Sequence, residues 1–423
     1  MSNLTDSIQT DSIQTDSAQA VYPLSADDPR DLEAIARHIR ADPRSQRYFQ
    51  PKRRIRRLYA PQVDYRAAAF VKQELLARGG DAVLARHVID GKVEQSAILM
   101  MGTDGQLAAL LQKMQSMDCW GLKALRDGLE DALRNETAVE WTFPLPGGRT
   151  LTLNRTTRIM GILNLTPDSF HAPSRVTEAE LLRRAEAMLN AGADILDLGA
   201  ESTRPGSEPV PESEERERLL PALSTLRRAF PEAVLSVDTY KGGVALAAAD
   251  AGADIINDVG GFGLDASMLE SAARTGLPYV LSHIQGIPAT MQDSPSYTDL
   301  LTELHRYFQE KLRAAERAGL SRNRVILDPG LGFGKRVEDN LLILKELESF
   351  GVLGRPLLIG HSRKGFTGAV THAQDSAGRL QGTTAISALL EGRAHILRVH
   401  DIEPNRQALL MARAIREASP WRS

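Results

Sequence analysis

The sequence from Arg158 onward alternates between short apolar segments and longer segments with helical periodicity. Such strand–helix units favour parallel strands joined by right-handed crossovers, and eight units in about 260 residues is the usual size of a (β/α)8 barrel. The predicted fold class is therefore α/β, with a TIM barrel over residues 157–423. The predicted strands are Ile159 to Leu165, Ile195 to Gly199, Val234 to Asp238, Ile255 to Val259, Tyr279 to Ser282, Val325 to Asp328, Leu357 to Gly360 and Ile396 to Val399. The predicted helices include Glu178 to Asn190, Glu212 to Arg228, Lys241 to Ala251, Leu300 to Ala318 and Asn340 to Glu348.

An open, doubly wound sheet is the alternative architecture for such a rhythm. Sheets of that kind more often carry a glycine-rich dinucleotide-binding turn after the first strand. No G-x-G-x-x-G sequence follows Leu165. The barrel is therefore favoured.

Three segments precede the predicted barrel. Residues 1–24 contain the polar five-residue repeat TDSIQ and are predicted to be a disordered tail. Residues 25–136 are predicted to form a small α/β domain of unknown role, and residues 137–156 a hairpin and linker that caps the barrel. In the small domain, the predicted helices are Ala67 to Arg78, Leu107 to Met117 and Leu122 to Arg134, and the predicted strand is Gln95 to Met101.

A cluster of basic residues lies early in the small domain. Its charges can simply face solvent, or they can contact an anion or RNA, but no ladder of aromatic residues accompanies them. We interpret them as a solvated face and expect no nucleic-acid partner. The members are Arg44, Arg47, Lys52, Arg53, Arg54, Arg56 and Arg57.

Composition limits the class of protein further. Hydrophobic residues make up 42% of the chain and charged residues 25%, which is typical of a globular protein, and the net charge is only −3. Cys119 is the single cysteine, so no internal disulfide can form. No apolar run is long enough for a transmembrane helix, and no secretory signal is evident. We expect a cytoplasmic enzyme with no membrane partner.

Polar residues follow nearly every predicted strand, at the end where barrel enzymes hold their catalytic groups. Asp238, Asn257, Asp328 and Lys364 offer the hydrogen-bond donors and acceptors that a flat aminopyrimidinone requires. Arg204, Arg398 and His400 suit a phosphorylated group, and Asn164 supplies a hard oxygen ligand for Mg²⁺ when a diphosphate provides the others. A single Asp at a strand end, such as Asp197 or Asp258, is a helix N-cap as often as it is a site residue.

The sequence resembles the dihydropteroate synthase family over about residues 157–423. The motifs that carry this resemblance occur in the family's order along the chain. They are MGILNLTPDSF (Met160 to Phe170), ESTRPGSEPV (Glu201 to Val210), SVDTYK (Ser236 to Lys241), INDV (Ile256 to Val259), LDPGLGFGK (Leu327 to Lys335), SRKGF (Ser362 to Phe366) and the segment Gly382 to Ile402, which includes RVHD.

The resemblance implies a role for each candidate residue. Asp238, Asn257, Asp328 and Lys364 would hold the pterin, and Asn164, Arg204, Arg398 and His400 the diphosphate, with Asn164 binding Mg²⁺. The 4-aminobenzoate site would involve the loop from Asp168 to Arg175, together with Thr203, Arg204, Pro205, Phe333 and Ser362. The catalytic set would be Asn164, Asp238, Lys364, Arg398 and His400. The family also implies a homodimer, a role in folate biosynthesis and competition by sulfonamides.

The expected reaction joins a pterin diphosphate to 4-aminobenzoate by an SN1-like displacement assisted by Mg²⁺. An aromatic amine needs no general base at neutral pH, so loss of diphosphate is the difficult step. Two alternatives remain open at this point: a corrinoid-linked methyltransferase and a non-catalytic pterin-binding protein. The methyltransferase should lack the SRK and RVHD features, and a mere pterin-binding protein has no need of the diphosphate clamp of Asn164, Arg398 and His400.

Overall fold

The computed structural model describes residues 21, 29–135, 140–165, 175–201, 207 and 209–418. Before the barrel lies a three-stranded antiparallel sheet in the order β1-β3-β2. Its buried face packs on helices around Val71, Ile98 and Leu110, and this core is separate from that of the barrel. The elements are α1 (Pro29–His38), α2 (Gln46–Phe49), β1 (Ile55–Asp64), α3 (Tyr65–Leu76), β2 (Asp81–Leu84), β3 (Gln95–Thr103), α4 (Asp104–Met114) and α5 (Leu122–Asn135).

The four elements predicted in this region are present, with boundaries shifted by up to three residues. The prediction of a wholly solvated basic cluster is wrong for Arg56. Its side chain lies on the covered face of β1, is 5% exposed and donates to Asp104 Oδ1 at 2.6 Å. Arg53 Nη1 lies 3.2 Å from the other oxygen of Asp104, so two of the cluster's cations neutralise a carboxylate at the start of α4.

A β-hairpin follows, as predicted, formed by β4 (Glu140–Pro144) and β5 (Thr150–Asn154). Its inward side chains Phe143 and Leu153 are fully buried and pack against the first inward-facing layer of the barrel strands. Arg149 binds Asp254 at the same end. The hairpin thus closes one end of the barrel. The domain boundaries proposed above stay a prediction.

Eight parallel strands form the barrel, in the order β11-β10-β9-β8-β7-β6-β13-β12, and a bridge between Leu327 and Leu357 links the two ends of this order. The predicted (β/α)8 barrel is confirmed. The strands are β6 (Arg158–Asn164), β7 (Ile195–Gly199), β8 (Val234–Asp238), β9 (Ile255–Asp258), β10 (Tyr279–Ser282), β11 (Val325–Asp328), β12 (Leu358–Ile359) and β13 (Ile396–Val399).

Helices surround these strands, and their apolar faces form the largest hydrophobic core of the molecule. No helix in the described parts of the chain is both long and apolar enough to cross a membrane. The helices are α6 (Arg175–Ala191), α7 (Glu212–Ala229), α8 (Gly242–Asp250), α9 (Met268–Thr275), α10 (Leu300–Arg317), α11 (Val337–Lys345), α12 (Gly365–Thr371), α13 (Leu380–Leu390) and α14 (Ile402–Glu417).

Candidate active site

Inside the barrel, the inward-facing side chains change from apolar to mostly polar within two residues of each strand. Nearest the hairpin, each strand contributes one apolar side chain to a layer that packs against the hairpin: Met160, Ile195, Val234, Ile255, Val280, Ile326, Leu358 and Ile396. Since strand side chains alternate between faces, the residue two positions later also faces inward. Those positions are mostly polar, and they form what we call the polar layer: Ile162, Asp197, Ser236, Asn257, Ser282, Asp328, Gly360 and Arg398.

An arginine between two carboxylates is the electrostatic centre of the polar layer. Arg398 Nε donates to Asp197 Oδ2 at 2.6 Å, and its Nη2 donates to Asp238 Oδ2 at 2.5 Å. Asp197 is fully buried and also accepts a hydrogen bond from Asn257 Nδ2 at 3.1 Å. Arg398 Nη1 makes no hydrogen bond to any described residue, so this edge of the guanidinium remains available to a ligand.

Burial governs the protonation of this centre. Burial raises the pKa of Asp238 to about 7, and the negative charge of Asp197 adds to the rise while Arg398 opposes it. The pKa of Arg398 is raised despite its burial, because Asp197 and Asp238 stabilise its positive charge. The guanidinium is therefore permanently charged.

Asp197 was not predicted as a site residue, although it holds both Arg398 and Asn257. The sequence does contain a signal for it. Asp197 interrupts the apolar strand Ile195–Gly199, and a charged residue inside a fully buried strand requires a charged partner. Asp258 instead has a structural role, because it accepts hydrogen bonds from the backbone N–H groups of Gly260 and Phe262.

Asp328 and Lys364 lie on the opposite side of the same layer. Burial raises the pKa of Asp328, and the charge of Lys364 opposes this shift. Burial lowers the pKa of Lys364 to about 8. A Cβ atom at Gly360 would lie 4.0 Å from both Asp328 Oδ2 and Lys364 Nζ, so the glycine leaves space between the two charges.

Phe333 covers this side of the pocket. Lys364 Nζ lies 4.3 Å from the centre of the Phe333 ring, within cation–π range, and donates to Leu331 O. The loop that carries the ring requires glycine at defined positions. Gly330 has φ +69°, and a Cβ there would lie 1.9 Å from His283 O. Gly334 is similarly confined by Gln285 O at 2.4 Å.

Lys335 anchors the same loop from beneath. Its side chain is buried, and Nζ lies 2.9 Å from His283 Nδ1 and 3.1 Å from Phe333 O. Burial lowers the pKa of Lys335 to about 7 and that of His283 to about 2. His283 is therefore neutral, and its Nδ1 accepts a hydrogen bond from the lysine. The loop bearing Phe333 is thus tied to the end of β10.

A strained turn presents Ser362 and Lys364. Arg363, between them, has φ +56°, which is unusual for a residue with a side chain. Its guanidinium makes a two-point salt bridge with Asp401, at 2.8 Å and 2.5 Å, and its N–H donates to Thr383 Oγ1 at 3.0 Å. These contacts hold the turn in its unusual conformation.

Ser362 links this turn to the end of β13. Its Oγ accepts from His400 N at 3.2 Å and lies 3.0 Å from His400 Nδ1. Ser362 is 7% exposed, whereas His400 is half-buried. Two of the predicted site residues are therefore in direct contact.

Asn164 lies at the end of β6, where the next strand ends in Gly199. A Cβ at Gly199 would lie 3.7 Å from Asp238 Oδ2 and 3.9 Å from Asn164 Oδ1. The glycine therefore leaves a small space lined by two oxygen atoms. No cluster of three or more His, Cys, Asp or Glu side chains with metal-binding geometry occurs among the described residues.

Some predicted contacts with 4-aminobenzoate lie outside the described residues. These are Thr203, Arg204 and Pro205, with residues 168–174 of the first loop. Glu201 lies where the second loop begins, and it forms a salt bridge with Lys241. Lys241 also binds the buried Glu215 at 2.5 Å. Lys241 is thus a structural ion-pair partner at the base of that loop.

The barrel therefore defines an enzyme class. The hairpin closes one end of the barrel, and the carboxylates, amide and cations at the other end match a flat, polar heterocycle. Two basic groups, Arg398 and Lys364, are positioned for an anionic substituent. This is the arrangement expected of a pterin-binding barrel enzyme.

Comparison with known proteins agrees with this class. The sequence model of the family described as "Pterin binding enzyme" matches residues 160–400. Dihydropteroate synthase of Escherichia coli (strain K12) is 42% identical over 259 residues, which cover 60% of this chain and 90% of that protein. The chain belongs to the dihydropteroate synthase family.

A solved structure and a longer relative extend the comparison. The structure of Xanthomonas albilineans dihydropteroate synthase with 4-aminobenzoic acid is 38% identical, with a TM-score of 0.60, over 66% of this chain and 100% of that one. A probable bifunctional folylpolyglutamate synthase/dihydropteroate synthase of Haloferax volcanii is 34% identical over 400 residues, which cover 92% of this chain and 46% of that protein. The second match is too long to be confined to the barrel, so it includes much of the small N-terminal region.

Proposed function

We propose that this protein condenses 6-hydroxymethyl-7,8-dihydropterin diphosphate with 4-aminobenzoate, giving 7,8-dihydropteroate and diphosphate. The observation that carries this proposal is the ion network at the polar layer, in which Arg398 binds both the fully buried Asp197 and the partly buried Asp238. The same layer also holds two buried polar side chains, the amide of Asn257 and the carboxyl group of Asp328. Relatives that share these barrel sequences are named for this reaction.

Asp238, Asn257, Asp328 and Lys364 would hold the pterin. A buried carboxylate can accept hydrogen bonds from the ring amino group and ring N–H, and an amide can donate and accept at once. Asn257 is already oriented by Asp197, so it need not reorganise when substrate binds. Phe333 offers an apolar ring surface beside Lys364.

The diphosphate would be bound by Arg398, His400 and Asn164, with Arg204 from the second loop. Asp197 and Asp238 engage Nε and Nη2 of Arg398, which leaves Nη1 for a phosphate oxygen. This contact differs from the two-point clamp that arginine can form with phosphate. Arg398 would therefore link Asp238, whose carboxylate binds the pterin, to the diphosphate leaving group.

Magnesium fits this site only in company with the substrate. Asn164 and Asp238 offer oxygen ligands beside the space over Gly199, and the diphosphate and water would supply the remainder. When bound, Mg²⁺ would neutralise charge on the departing diphosphate. The lack of a three-ligand cluster in the described residues is consistent with a metal that arrives with its substrate.

The aminobenzoate would enter above Phe333 and Ser362, between the first two loops. Thr203, Arg204 and Pro205 remain proposed contacts. The amine is uncharged at neutral pH and attacks without a general base. The C–O bond to diphosphate breaks, the pterin stabilises the resulting cation, the C–N bond forms, and the amine then releases a proton to water. Arg398 and Lys364 would hold positive charge near the breaking bond.

The homodimer and the cytoplasmic location remain predictions. Several apolar side chains on α13 and α14 support an assembly, because they are more than half exposed: Leu389, Leu410, Met411 and Ile415. These two helices pack against each other, so the four residues are not scattered over the surface.

The reaction can be tested by measuring diphosphate release from the full chain in the presence of pterin diphosphate and Mg²⁺, with and without 4-aminobenzoate. The proposal predicts release that depends on the amine and yields dihydropteroate. Binding of the pterin without any release would favour the non-catalytic protein. Methyl transfer from a reduced folate to a corrinoid, in place of release, would favour the methyltransferase.

A further inference from the structure

One face of the N-terminal sheet lacks a covering layer among the described residues. Helices α3 and α4 pack on the face that includes Ile98 and Met100, whereas the opposite face carries apolar side chains into solvent. Ile55 is 67% exposed, Tyr59 58% and Val83 55%. We call this the open face. An exposed apolar patch rimmed by charges commonly marks an interaction surface.

The strand pairing places the residues of the open face in rows across the three strands. Arg57 in β1 pairs with Met101 in β3, which pairs with Asp81 in β2. The next row, two residues further, is Tyr59, Leu99 and Val83. The central strand is therefore apolar, while one edge carries a cation and the other edge, at the same height, carries an anion.

We propose that the open face is a self-association surface, which binds the open face of a second copy of this chain. The two sheets would be related by a two-fold axis that lies in the interface, parallel to β3. This rotation exchanges the two edges, so Arg57 meets Asp81 of the other copy, and the reverse pair forms as well. Sheet-on-sheet packing with strands nearly aligned is a common arrangement.

The apolar residues match under the same rotation. Tyr59 meets Val83 of the other copy, and Leu99 and Met101 on the central strand each meet their own equivalents. One symmetric contact would therefore bury every apolar side chain of the two rows and pair both charges. A self-complementary pattern of this kind is what an isologous interface requires.

The position of the open face leaves it accessible. The small region is attached to the barrel through α5, whose terminal Asn135 donates to Val352 O at 2.7 Å. Strands β1, β2 and β3 make no extensive contact with the described barrel elements. The Asp81 side chain remains 51% exposed, although Lys72 Nζ lies 3.3 Å from its Oδ1. The proposal is independent of the reaction assigned to the barrel.

Cross-linking of the full chain can test this arrangement, because Leu99 would lie on the two-fold axis. In a Cys119→Ser background, Leu99→Cys is expected to form an intermolecular cross-link with a short bismaleimide, whose spacer can span the roughly 10 Å between packed sheets. Adding Arg57→Asp turns two attractive contacts into two repulsive ones. We expect the initial cross-linking rate at low protein concentration to fall about tenfold. Adding Asp81→Arg as well restores both pairs with reversed charges, so the rate should recover.

Two matched controls separate this effect from general ones. Lys113→Asp makes the same charge change on an exposed position of α4 and should leave the rate unchanged. Ala108→Cys replaces an exposed residue of the helical side and should not cross-link. Circular dichroism of each variant verifies that it is folded. A rate insensitive to Arg57→Asp, or one that the charge swap fails to restore, would overturn the proposal.

Discussion

The two layers of side chains inside the barrel come from the same strands, only two residues apart, yet they have different roles. The layer beside the hairpin is entirely apolar and is sealed by Phe143 and Leu153. The polar layer above it buries Asp197 and Asp328 and half-buries Arg398, and such charges are expensive to remove from water. One layer stabilises the fold, and the other carries the candidate chemistry. This separation is what lets a barrel change its reaction without losing its core.

The polar layer and the loops that follow its strands are costly in ways that the apolar layer is not. Asp197 Oδ1 is buried and has no hydrogen-bond partner among the described residues. Burial lowers the pKa of Lys335 to about 7 and that of Lys364 to about 8, so both ammonium groups are destabilised relative to water. Arg363 adds backbone strain. The comparison predicts that substitutions in the apolar layer change stability and those above it change turnover.

The largest expected effect is on stability, from Phe143→Ala in the hairpin. Phe143 is fully buried, and removing its ring leaves a cavity against the closed end of the barrel. The free energy of unfolding should fall by about 3–5 kcal/mol, measured by urea denaturation, with unchanged KM values for the folded enzyme. Phe333→Ala, which lies at the open end, is the control and should raise KM with a much smaller loss of stability. Equal losses of stability in Phe143→Ala and Phe333→Ala would contradict the division of roles between the two ends of the barrel.

Arg398→Ala should have the largest effect on turnover. Removal of one preorganised donor to a leaving group costs about 3 kcal/mol of transition-state stabilisation, so kcat should fall by roughly two to three decades. Asp197→Asn is the matched control, because it keeps the guanidinium but removes one carboxylate that holds it. We expect a smaller loss of kcat in the control. Unchanged turnover in Arg398→Ala would eliminate the proposed role.

Lys335→Met tests whether the buried lysine positions Phe333. Methionine has a similar volume but cannot bond to Phe333 O or His283 Nδ1. KM for 4-aminobenzoate should rise about tenfold, which corresponds to the loss of about one hydrogen bond to a charged group, and KM for the pterin should change little. Steady-state kinetics with each substrate varied in turn gives both values. A parallel rise in the two KM values would indicate general loosening instead.

The smallest expected effect is a shift in pH dependence. The pKa of Lys364 is lowered to about 8, so its proton is lost as the pH rises through 8. If the charged form binds pterin diphosphate, affinity at pH 9 should be about tenfold weaker than at pH 7. Lys364→Arg stays charged and should flatten this ratio, whatever its affinity at pH 7. Calorimetric titration at both pH values measures this ratio of affinities. If affinity falls equally in the variant between pH 7 and pH 9, a group other than Lys364 causes the pH dependence.

Much of this architecture could be predicted from the sequence. Five of the eight barrel strands begin and end at the predicted residues, because each is a short and mostly apolar segment. The ordered motifs also predicted the family. Asp238, Asn257, Asp328, Lys364 and Arg398 were predicted to share one end of the barrel. In the structure, Asp197 and Arg398 link Asn257 to Asp238, and Asp328 and Lys364 flank Gly360 at the same end. Their individual roles stay predictions.

What could not be predicted depends on partners distant in sequence. Asp197 gains its importance from Arg398, two hundred and one residues later. Arg56 lies in a basic run that looks solvated, and its pairing with the distant Asp104 helps to explain its burial. Strand β1 was not predicted because four arginines from Arg53 to Arg57 obscure its alternation. Local pattern specifies the elements, whereas such pairs depend on how the elements pack.

The account rests on the claim that the polar layer is the substrate site, and binding measurements on Asp328→Asn test it most directly. We would titrate the wild-type full chain and this variant with pterin diphosphate and with free hydroxymethyl pterin, each with and without Mg²⁺. The account predicts that Mg²⁺ strengthens binding of the diphosphate alone, and that Asp328→Asn weakens both pterins by about one to two decades. Equal binding of both pterins by the variant and the wild type would contradict it.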